Sequence, residues 1–163
     1  MLDLDTLSDE FERIVKSSDG KKSVAGDLAK AYNDYAKGGT ILGADCSAGG
    51  AVALLETAFT TDGTPASIFK MASGICNFWQ TVPKPGIPSH GGVAVVAVVP
   101  LFSAVIPGVT AAIQGCITTE AVEKPYKHFF EAIENVLKTA VVNVTETMPT
   151  TPPSPAVFPE TLS

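Results

Sequence analysis

Apolar and polar positions in the first half of the chain follow the period of an amphipathic helix. Phe11, Ile14 and Val15 form a stripe that predicts a helix over 9–17, with Ser8 as N-cap. Asp9 and Glu10 suit its positive end. Leu28, Ala31, Tyr32 and Tyr35 predict a second helix over 23–37 that stops at Gly38-Gly39. Thr40-Ile41-Leu42 is too short for more than a brief extended segment. A loop of small residues, 43–50, precedes a third helix over 51–59 with Leu54, Leu55 and Ala58 inward. Thr64-Pro65 predicts the start of a fourth, because a hydroxyl cap is followed by proline at the first helical position. That helix carries Ile68, Ala72, Ile75 and Trp79, and Gly74 within it marks close approach of another helix.

The pattern changes at residue 83. Pro83-Lys-Pro-Gly-Ile-Pro88 is a stiff connector, and no Asp, Glu, Lys or Arg occurs from Pro85 to Thr119. Val93 to Val99 is valine and alanine throughout, which fits a buried strand or a buried helix. A membrane span needs roughly 20 continuous apolar residues. Pro100 and Pro107 cut this run, and lipid cannot satisfy the backbone groups that prolines release. The run is therefore expected in a protein interior or interface. Phe129, Ile133, Val136 and Leu137 predict a last helix over 125–140, and Val141 to Thr147 alternates as a strand. Five prolines in the last fifteen residues exclude helix and central strand there, so 148–163 reads as a polyproline-like arm. The helix-then-strand order at 23–42 and again at 125–147 suggests a faint internal repeat.

These elements describe a mainly α fold with short β segments: a helical packing domain over 1–140 and an extended strand and Pro-rich arm over 141–163. Composition sharpens this. The 163 residues are 45% hydrophobic and only 17% charged, which leaves apolar surface for partners to cover. Net charge is −6 with a single arginine, Arg13, so phosphate-neutralising clusters are missing and nucleic acid is set aside. An anionic membrane surface is disfavoured for the same reason. The first ten residues hold four acids and no base, so no signal-peptide n-region is expected there.

Candidate chemistry is sparse. Cys46, Cys76 and Cys116 are far apart and read as reduced, buried thiols of a reducing compartment. Cys46 in its glycine-rich loop could form a nucleophilic pair with His90 or His128, but no local signature supports it. No zinc-ligand spacing, phosphate loop or calcium loop is complete, so neither a metal nor another cofactor is expected. Asn143-Val-Thr145 matches a glycosylation sequon by chance.

Three features carry a family resemblance. They are the alanine-rich helix closing on glycine at Ala25–Gly39, the uncharged Gly/Ala/Val/Pro middle, and Lys138–Thr147 running into a Pro-rich end. Together the chain resembles small virion structural proteins of tailed bacteriophages, of the tail and baseplate type. The resemblance implies a multi-copy, non-enzymatic part of a virion, assembled in the host cytoplasm from copies of itself and other subunits. Val141, Val142 and Val144 are expected to pair with a sheet edge on another subunit, while Val157, Phe158 and Leu162 anchor in its apolar pockets. Two other classes stay open. One is a pore-forming or holin-like protein using residues 91–117, and the other a small cysteine enzyme.

Overall fold

The computed structural model describes residues 3–18, 24–41, 44–46, 49–60, 63–82, 92–120, 122–149 and 154–161. The protein is mainly helical. The α-helices among the described residues are α1 (Leu4–Ser17), α2 (Ala25–Lys37), α3 (Val52–Ala58), α4 (Pro65–Thr81), α5 (Ile106–Thr118) and α6 (Pro125–Leu137). Two short strands, β1 (Thr40–Ile41) and β2 (Ala44–Asp45), pair with each other. Three longer ones, β3 (Val93–Pro100), β4 (Val141–Met148) and β5 (Ser154–Thr161), form a separate antiparallel sheet in the order β3-β4-β5.

The helical body forms as its stripes require. In α1 the stripe begins earlier than expected: Leu7, Phe11 and Ile14 are buried, and Asp3 rather than Ser8 caps the helix, accepting from Thr6 N at 3.0 Å. Ser8 lies on the buried side and Val15 at the surface. Thr64 does cap α4, accepting from Ser67 N at 3.3 Å. Gly74 is the close approach: a Cβ there would sit 2.6 Å from Ala58 Cβ and 2.9 Å from the Leu54 carbonyl oxygen. At the centre lie Tyr32, Phe78, Trp79, Phe102 and Phe130, all buried. Trp79 Nε1 donates to Tyr32 Oη at 3.1 Å, which satisfies two polar atoms that burial would otherwise strand. Tyr35 Oη donates to buried Glu134 at 2.7 Å, tying α2 to α6, and Lys138 pairs with the other carboxylate oxygen.

The uncharged run divides. Its first part is β3; its second is α5, which sequence periodicity left open and which Pro107 helps to start by occupying the first turn. Among the described residues no helix is long and apolar enough to cross a membrane. Val109 and Ile113 of α5 are buried in the helical core, as is Phe102 in the single 3-10 turn that joins β3 to α5.

The C-terminal expectation is corrected in two respects. Residues 141–147 pair within their own chain on both sides, with β3 and with β5, so no edge of β4 is left for another subunit. Residues 154–161 are extended, as expected of the arm, but as a strand paired along the full length of β4 rather than as a polyproline-like segment. The prolines did restrict that strand to an edge. Pro155 and Pro159 lack N–H groups, and they stand on β5, which pairs with β4 on one side only. The two helix-then-strand units also part company: α2 leads to a two-residue strand, α6 to the centre of the larger sheet.

Candidate functional site

The residues singled out as an interface gather on the three-stranded sheet. Val141, Val142 and Val144 lie on central strand β4, and Val157 and Phe158 on edge strand β5. Register places Val98, Val144 and Phe158 in one cross-strand row, and Pro100, Val142 and Glu160 in another. Val157 is 58% exposed and Phe158 half-buried. Leu162 lies outside the described residues.

The setting of this sheet matters more than any one side chain. Each strand contacts its neighbours, but among the described residues no helix touches the sheet more than marginally. β3 reads Val-Ala-Val-Val-Ala-Val-Val-Pro, a continuous apolar sequence of the type that strands covered on both faces carry. A sheet of three short strands is stable when an apolar face packs on a second layer. Both of its edges are blunted. The two prolines interrupt β5, and the β3–β4 register shifts between Ala94 and Val98, an irregularity that breaks a regular edge.

The thiols lie in or against the helical core. Cys46 and Cys76 are buried in the core, and burial pushes the Cys76 thiol up to about 12. Cys116 is half-buried, and burial raises it too, whereas a nucleophile needs a lowered value. His90 lies outside the described residues; His128 is exposed on α6. Among the described residues no group of three or more His, Cys, Asp or Glu side chains could hold a metal.

Sequence reading missed a second feature. A cavity of about 460 Å³ opens where α5 ends and α6 begins, walled by Phe11, Phe59, Tyr126, Phe129 and Phe130. Cys116, Glu120 and His128 also line it. Its residues come from α1, α2, α4, α5, α6 and the loops between them, so no local spacing could reveal it. Val15, which the sequence placed in the buried stripe of α1, instead stands at the surface beside this opening.

Comparison with family models, with curated proteins and with solved structures finds no match to this chain.

Proposed function

We propose that the protein is a non-enzymatic structural subunit of a tailed-phage virion, of the tail or baseplate type, that works by packing against copies of itself and other subunits. The supporting observation is the three-stranded sheet. Its β3 strand is uncharged and apolar along its whole length, and among the described residues no helix makes more than a marginal contact with it. Apolar area leaving water is stabilising at roughly 25 cal/mol per Å², so a second protein layer on this sheet is favourable. The blunted edges argue that the contact uses a face rather than strand addition. Val142, Val144 and Phe158 share one face of the sheet and Val141 and Val157 the other, so both faces take part, and the low charge of the chain fits a subunit most of whose surface is covered.

Light scattering after size exclusion tests the self-packing part. The full chain is expected to associate, and a chain ending at residue 147 to lose association while keeping its helical circular dichroism. A full chain that stays monomeric and is also absent from purified particles would refute the proposal. Quantitative flotation with lipid vesicles would instead favour a membrane-active protein.

A further inference from the structure

The cavity between α1, α5 and α6 points to a ligand of defined chemistry. Six large hydrophobic residues of the described chain are exposed, and three of them, Val15 (38%), Ile117 (58%) and Val122 (37%), line this one cavity. Isolated exposed apolar residues are ordinary, but their convergence on a concave opening is the usual mark of a binding site. A volume of about 460 Å³ is within the range of small-molecule pockets.

Its walls select the charge of the occupant. Phe11 packs edge to face on Phe59 at 5.4 Å and on Phe130 at 4.6 Å, and Phe130 meets Phe129 at 5.1 Å between ring centroids. The rings therefore form one contiguous aromatic wall, and aromatic faces carry partial negative charge. Glu120 adds a carboxylate at the exposed rim, and no lysine or arginine lines the cavity. A carboxylate or phosphate would find only the His128 imidazole as a partner and no fixed positive charge, while a cation gains from both the rings and Glu120.

We propose that this cavity binds a small organic ammonium with an apolar body, the alkyl part against Phe11, Met71 and Ile117 and the cationic head toward the aromatic rings and Glu120. The site is independent of the sheet and of the assembly reading.

Calorimetric titration of the full chain with octyltrimethylammonium, octanol and octanoate separates the possibilities, because the three share a chain and differ in head charge. The ammonium should saturate one site per chain and bind roughly tenfold or more tighter than octanoate. Glu120→Gln, at an exposed position, should weaken the ammonium about fivefold and leave octanol unchanged. Ile117→Trp should fill the opening and abolish binding, and since Ile117 is largely exposed the fold is expected to survive, checked by circular dichroism. Equal affinity for the three compounds would reduce the site to a greasy hollow and overturn the proposal. So would tighter octanoate, no saturable binding of the ammonium, or binding unchanged by Ile117→Trp.

Discussion

The helical body and the three-stranded sheet take their share of one uncharged run and hide it differently. α5 enters the body: Val109 and Ile113 are buried against neighbouring helices while Thr118 and Gln114 stay at the surface. β3, a few residues earlier, joins the sheet and among the described residues meets no helix more than marginally. The residue types are alike; the patterns are not. A helix with a stripe has a polar side to offer water, so one packed neighbour satisfies it. A strand that is apolar at every position has no such side and calls for cover above and below. Among the described residues the body is packed on itself, whereas the sheet has no comparable partner layer.

This contrast can be broken at its strongest point. Trp79→Ala removes a fully buried ring and leaves Tyr32 without its indole donor, and it should cost about 3–5 kcal/mol in urea denaturation. Removal of residues 148–163 should leave the unfolding midpoint of the helical body nearly unchanged. A truncated chain that unfolds as readily as the Trp79 variant would show that the body leans on the sheet after all.

Alkaline titration probes the same core. Burial raises the Cys76 thiol from 9.0 to about 12, and it raises the Tyr32 and Tyr35 phenols as well. Each of these groups is held neutral in the folded state. Their stabilisation is fully present below the unfolded values, about 9 for the thiol and 10 for the phenols, and is lost as pH rises past them. Stability should therefore fall from about pH 9 upward. Cys76→Ala should remove the first part of that fall; an unchanged onset in a pH series of urea melts would assign it elsewhere.

The smallest effect on monomer stability, and the sharpest on the sheet, is expected from Pro155→Val with Pro159→Val. Restoring two N–H groups to edge strand β5 should alter stability by less than about 0.5 kcal/mol but open the edge to pairing. Faster concentration-dependent growth of large species in light scattering is the expected result. No change in growth would mean that the prolines do not guard this edge.

Much of the body was legible because its helices announce themselves locally. Thr64-Pro65, the Leu28 to Tyr35 stripe and the Phe129 to Leu137 stripe each carry their own start, stop or face within a dozen residues. Gly74 signalled a close contact, though not that Ala58 and Leu54 make it. The N-cap of α1 was misplaced because Ser8 and Asp3 are both competent caps, and only burial of Leu7 extends the helix to the earlier one. α5 was left open because Pro107 and Gly108 look like breakers until the proline is seen in the first helical turn.

The sequence alone settled the mainly helical class, the strand character of 141–147 and the exclusion of helix and central strand from the proline-rich end. Each follows from φ/ψ preference, side-chain period or a missing N–H, which neighbouring residues determine between them. Only the tertiary structure decided that β3 and β5 flank β4 within the chain, that Tyr35 reaches Glu134, and that Val15 and Ile117 open on one aromatic cavity. Those outcomes depend on which distant segments meet. Strand pairing uses backbone groups that every residue except proline offers alike, and a cavity is defined by space that no residue occupies.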